Sequence, residues 1–238
     1  RYWTTKNKMN IAKNNIIILI KPRSGSNYVT HIISRAKEHQ RPKASVIHEP
    51  FKKKEILHDK IQEMFNAMQF DNLVLRCHAF DVLGYWGRLK YHHGENTITV
   101  SVNRRSMYEK FLSLVIAKKS GIWNIYGWNQ EYKTLYDRKY NISFGDFKTA
   151  FVDTIQYEIF LRKFSCDINV WYEDLTFDQG TDLRMMGFND DISDIELTTT
   201  LKLANESEKE SLIYNFDQLQ SWWVNYAEDL KILGFSDM

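Results

Sequence analysis

At 238 residues the chain suits one domain with a full core, or one domain with a small appendage. A formal net charge of +2, with acids and bases interspersed, excludes a general nucleic-acid coat, so a basic site has to be local. Two cysteines far apart, Cys77 and Cys166, are too few for a disulfide scaffold and lack zinc-ligand spacing, and the longest aliphatic run, Ile16–Ile20, is far too short to cross a bilayer.

The opening RYWTTKNKMN has no apolar stretch of the signal-peptide kind, and the chain reads as cytoplasmic. The first predicted element is a strand, Asn15–Ile20, followed by the polar turn Lys21-Pro22-Arg23-Ser24-Gly25-Ser26-Asn27 and a helix over Tyr28–Lys37. A strand over Ala44–Ile47 comes next, then a helix over Lys53–Met68 with Ile56, Ile61, Met64, Phe65 and Met68 on one face. Strands follow at Leu73–Arg76 and Thr97–Val102, and a helix at Met107–Lys118 carries Phe111, Leu112, Val115 and Ile116. A long helix over Phe147–Phe164, a strand over Ile168–Tyr172 and a helical end from Glu206 to Leu233 complete the order. Alternating buried strands and helices predict an α/β fold, a three-layer sandwich with a central parallel sheet flanked by helices. The expectation is a single domain over residues 1–238, with a motif-bearing core at 14–175 and a helical part at 176–238.

Ligands of parallel sheets bind beyond the carboxyl ends of the strands, so the residues just after each strand carry the chemistry. After the first strand, Gly25 frees the backbone to curl its amides inward as an anion nest, and Ser26 and Asn27 can cap the helix or reach an anion oxygen. Arg23 and Lys21 add charge; a plain capped turn would have the same composition. No Gly-Lys pair occurs anywhere, so the Gly-Lys-Ser/Thr run that serves magnesium-dependent phosphoryl transfer is missing from this turn. Two bases compete: Glu49, after the second strand, and His78, after the third. A glutamate needs desolvation to act near neutral pH, whereas a histidine titrates there unaided.

PRSGSNYVTHII resembles the 5′-phosphosulfate loop of sulfotransferases that use 3′-phosphoadenosine 5′-phosphosulfate (PAPS). VNRRSMYEKFLSL resembles their 3′-phosphate motif, with Arg105 followed eight residues later by Ser113. The continuation to Gly121-Ile122-Trp123 is similar to bacterial trehalose-type and carbohydrate sulfotransferases, and VWYEDL resembles a segment that closes many such domains. These matches run in order over residues 14–175 and imply a P-loop NTPase-like domain that moves a sulfuryl group from PAPS to a hydroxyl. The acceptor implied is a carbohydrate or other small molecule, the product adenosine 3′,5′-bisphosphate. No metal, nucleic acid or membrane is required, and an oligomer is compatible.

By the same resemblance Arg23, Ser24, Gly25, Ser26 and Asn27 hold the phosphosulfate, Arg23 also stabilising the leaving phosphate, and Tyr28 stacks on adenine. Arg105 and Ser113 hold the 3′-phosphate, a task suited to a bidentate guanidinium and a hydroxyl about two helical turns on. Glu49 matches a Glu-Pro segment of the carbohydrate enzymes as base, and His78 matches the Lys-Thr-His of the cytosolic enzymes, with Arg76 and Cys77 replacing the first two residues. The family's late Arg-Lys-Gly loop is absent, leaving Lys202 as a substitute, and Asn27 replaces a second hydroxyl. Aromatic stretches at Ile122–Tyr140 and Gly84–His93 suit sugar rings or flat phenols on the acceptor side. A magnesium-dependent metabolite or nucleotide kinase, or a non-catalytic binder of phosphorylated nucleotides, are the rival readings.

Overall fold

The computed structural model describes residues 11–40, 44–49, 57–87, 96–122, 138–162, 164–188 and 206–232. Among them five strands form one parallel sheet: β1 (Asn15–Ile20), β2 (Ser45–His48), β3 (Leu73–His78), β4 (Thr97–Asn103) and β5 (Ile168–Trp171), in the order β2-β3-β1-β4-β5. The central strand β1 is buried along its whole length, which is why it reads as unbroken aliphatic sequence instead of alternating. Its side chains divide by parity. Ile16, Ile18 and Ile20 join Val29, Ile32, Ile33 and Ala36 of α1 (Ser26–Gln40) in one core. Ile17 and Leu19 join Met64, Ala67 and Met68 of α2 (Leu57–Gln69), Val82 of α3 (Ala79–Val82), and Leu161 and Phe164 in another. Helices therefore cover both faces of the sheet, and the α/β class expected from the alternation is the one adopted.

The chain leaves β1 toward β2, on one side, and every later connection runs the opposite way, so the carboxyl end of β1 is the topological switch point. At the amino edge, Lys37 is fully buried and its Nζ donates to the carbonyls of Ile11 at 2.7 Å, Asn14 at 2.6 Å and Asp71 at 2.6 Å. Asn15 stitches the same edge, its amide donating to Met68 O and accepting from Leu73 N.

By its contacts the chain divides into two compact units, Arg1–Asn103 with Tyr157–Thr198, and Arg104–Gln156 with Thr199–Met238. The sheet lies in the first unit. The second contains α4 (Met107–Ser120), most of α5 (Phe144–Leu161), α7 (Glu206–Ser211) and α8 (Phe216–Ile232), packed around Phe111, Phe147, Leu219 and Trp223. A short helix α6 (Gln179–Met185) belongs to the first. Helix α4 starts at Ser106, whose Oγ accepts from Glu109 N, and stops at Gly121, which is left-handed. The single helix expected from Glu206 to Leu233 is interrupted after Ser211. There Ile213 pairs with Tyr140, and the Asn215 side chain bonds both the N–H and the carbonyl of Ile142. No helix among the described residues is long and apolar enough to cross a membrane.

Candidate functional site

The turn after β1 is held at three points. Lys21 continues the face of Ile17 and Leu19, so it is buried, and its Nζ lies 2.6 Å from Glu158 Oε2. Burial, with the nearby Arg162 charge adding to it, pushes the Lys21 ammonium down to about 7, while the Glu158 carboxylate works the other way. Ser24 is buried too, and its hydroxyl donates to Lys21 O at 2.9 Å, which uses that hydroxyl inside the turn. Gly25 has a φ of 80°, and an added Cβ would sit 2.1 Å from Cδ2 of Tyr172, so the tyrosine ring occupies the space where a side chain would go. Arg23 is left-handed as well, with a φ of 63°, and is half-buried, as is Asn27. Helix α1 begins at Ser26, and first-turn amides of any helix have no intrahelical acceptor. The start of α1 and Arg23 therefore lie together at the switch point.

Tyr28 points into the core. It is 3% exposed, its hydroxyl donates to Asp182 Oδ2 at 2.7 Å, and its ring packs on Phe177 with centroids 4.9 Å apart. The stacking surface for adenine expected of it is instead part of the packing under the turn. The Asp182 carboxylate also accepts from Thr176 N, Thr176 Oγ1 and Phe177 N, so this buried acid is satisfied on four sides.

The two rival bases meet. His48 is opposite Arg76 in the β2–β3 register, and Glu49, the next residue, donates its N–H to Arg76 O at 2.7 Å. Glu49 is left-handed at a φ of 48°, an unfavourable conformation for a side-chain-bearing residue. Its Oε1 lies 3.6 Å from Arg76 Nη2 and 3.5 Å from His78 Nε2. The other imidazole nitrogen, His78 Nδ1, is buried with no hydrogen-bond partner among the described residues, and the Tyr157 ring packs 5.7 Å away. Since His78 is opposite Ile20, the turn, His78 and Glu49 line the carboxyl ends of three adjacent strands, β1, β3 and β2. Arg76 joins the pair through its contact with Glu49; by sequence it stands only as the replacement for the lysine of the Lys-Thr-His pattern.

Arg105 and Ser113 belong to the second unit. Arg105 is exposed, two residues past β4, and Ser113 is buried within α4. Near the start of α4, Glu109 Oε2 lies 2.8 Å from Arg104 Nη2 and 3.9 Å from Lys209 Nζ, a basic cluster around one carboxylate. Lys202 lies outside the described residues, as do residues 88–95 and 123–137, which hold most of the two aromatic stretches. Cys77 is inert, because burial pushes its thiol far up. Among the described residues no group of three or more His, Cys, Asp or Glu could hold a metal ion. Set against protein-family models, curated proteins and solved structures, the chain matches none of them.

Proposed function

We propose that the protein is a sulfotransferase on a P-loop NTPase-like frame, moving the sulfuryl group of PAPS to a hydroxyl of a carbohydrate or other small molecule. The observation that carries this reading is the Glu49 carboxylate held between Arg76 and His78, on the strand edge beside a glycine turn at the switch point. PAPS supplies the sulfuryl group and leaves as adenosine 3′,5′-bisphosphate. Glu49 takes the acceptor's proton as the acceptor oxygen bonds to sulfur and the bond from sulfur to the phosphate oxygen breaks. Arg23 and the turn amides stabilise the negative charge that returns to the phosphate.

Glu49 is favoured over His78 because the histidine's Nδ1 is buried and its Nε2 faces Glu49, so neither nitrogen is open to an acceptor. His78 and Arg76 then hold the carboxylate in place. No magnesium step is needed, since the sulfuryl group carries less charge than a phosphoryl group.

Thermal denaturation with adenosine 3′,5′-bisphosphate, and separately with ATP and magnesium, tests the reading. The bisphosphate alone should stabilise, by about 2.7 kcal/mol at a hundred times its Kd. Stabilisation by ATP and magnesium alone would instead indicate a kinase, and donor binding without turnover over a broad acceptor panel a non-catalytic binder. Glu49→Gln should lower turnover by about 10²–10⁴-fold while leaving bisphosphate affinity unchanged. Near-normal rates in that variant would move the role of base to His78.

A further inference from the structure

Two consecutive residues of α5 touch both halves of this edge. Glu158 reaches the first residue of the turn, Lys21, at 2.6 Å, and the Tyr157 ring packs against the imidazole of His78 at 5.7 Å. Neighbouring strands lie about 4.8 Å apart, and successive helix residues diverge by about 100°, so one helix crossing the ends of β1 and β3 reaches both with adjacent side chains. We infer that Glu158 and Tyr157 are positioning residues that hold the turn after β1 in register with the Glu49–His78 pair. The inference rests on the reading of that edge as the reacting site.

Three physical points support it. Lys21 is 3% exposed, and a buried amine is held in place by a close carboxylate, here Glu158. Lys21 is also the backbone anchor of the turn, because its carbonyl accepts the Ser24 hydroxyl. Fixing its side chain thus fixes where the turn begins, and the turn itself leaves little freedom, since Gly25 is pressed against Tyr172. On the other side, His78 is the last residue of β3, and the Tyr157 ring limits how its imidazole can swing away from Glu49. The two contacts act on different steps, one on anion binding and one on proton transfer.

That separation defines the test. Pyrophosphate reports on the turn alone, adenosine 3′,5′-bisphosphate on the donor reading, and kcat on the base. Glu158→Gln should weaken pyrophosphate and bisphosphate by about ten-fold and raise the donor KM alike, with kcat within about two-fold; Tyr157→Leu should lower kcat about ten-fold with both affinities kept, since a small misplacement is enough for such losses. Tyr157→Leu should also move the His78 ring resonances in NMR spectra, and Glu158→Gln should not. Should Glu158→Gln fold poorly, the double variant Lys21→Met, Glu158→Leu replaces the buried pair by apolar groups of similar size and should fold while still binding pyrophosphate weakly.

If both variants lose only thermal stability, or if KM and kcat move together in each, the inference is overturned. Binding of pyrophosphate but not the bisphosphate would sink the donor reading alone, with pyrophosphate affinity and the His78 resonances still deciding this one. A wild-type chain that binds neither overturns both.

Discussion

Gly25 has no room for a side chain. An alanine there would drive its methyl into Tyr172 at 2.1 Å and adopt a φ of 80°, the backbone part alone costing roughly 1–2 kcal/mol. Gly25→Ala should therefore lose more than about 2 kcal/mol in urea unfolding, and adding Tyr172→Ala should return the steric part but not the backbone part. The role of Tyr172 was not legible, because nothing in YEDL says that its ring will lie on a glycine almost 150 residues earlier. Tyr28, by contrast, was readable as a core residue: it stands with Ile32 and Ala36 at four-residue spacing on the face of α1 that meets the sheet. The resemblance drew attention to its place after the turn and away from that spacing. Glu49 and His78 were each found from their positions after strands. Their contact was not, since it depends on β2 and β3 being neighbours, and strand order is set by packing of the whole sheet.

At the level of elements, the strands were the most readable part. β1 spans the predicted residues, and β3 and β4 differ only in running on through Cys77-His78 and Asn103, polar positions that still pair with neighbours. Helices were displaced where a local cap decided their start. Helix α5 begins at Phe144 because the Ser143 hydroxyl accepts from Asp146 N, a signal the apolar spacing overlooks. The short α6 escaped notice, although Asp178 caps its start through Thr181 N and the left-handed Gly187 follows its end. The break between α7 and α8 had no glycine or proline to mark it. Tertiary bonds from Asn215 to Ile142 make it. Helix α4 has the clearest start signal, Ser106 with Glu109 three residues on, and Ser106→Ala should cost about 1 kcal/mol in denaturant unfolding.

For the molecule as a whole, stability should depend on pH in a way set by three buried groups. Lys21 holds its proton more weakly when folded, at about 7, than its ordinary value of 10.5. Between those values the unfolded chain binds more protons, so the Lys21 contribution rises with pH. Folding holds the protons of Cys77 and Tyr28 more tightly, so their contributions fall above about pH 9, where an unfolded thiol begins to ionise. Unfolding free energy should therefore be higher at pH 8.5 than at pH 6.5, and Lys21→Met should flatten that rise. A flat profile in the wild type would mean that Glu158 keeps the lysine charged throughout. The division into two units was not legible, because one of its boundaries falls inside the continuous helix α5. The triple carbonyl grip on Lys37 has a practical consequence. An amine-acylating reagent can reach this side chain only in molecules that have come apart at the amino edge of the sheet. Mass mapping of the peptide that carries it would thus turn one lysine into a clock for transient opening, read against the exposed lysines of the same chain as an internal standard.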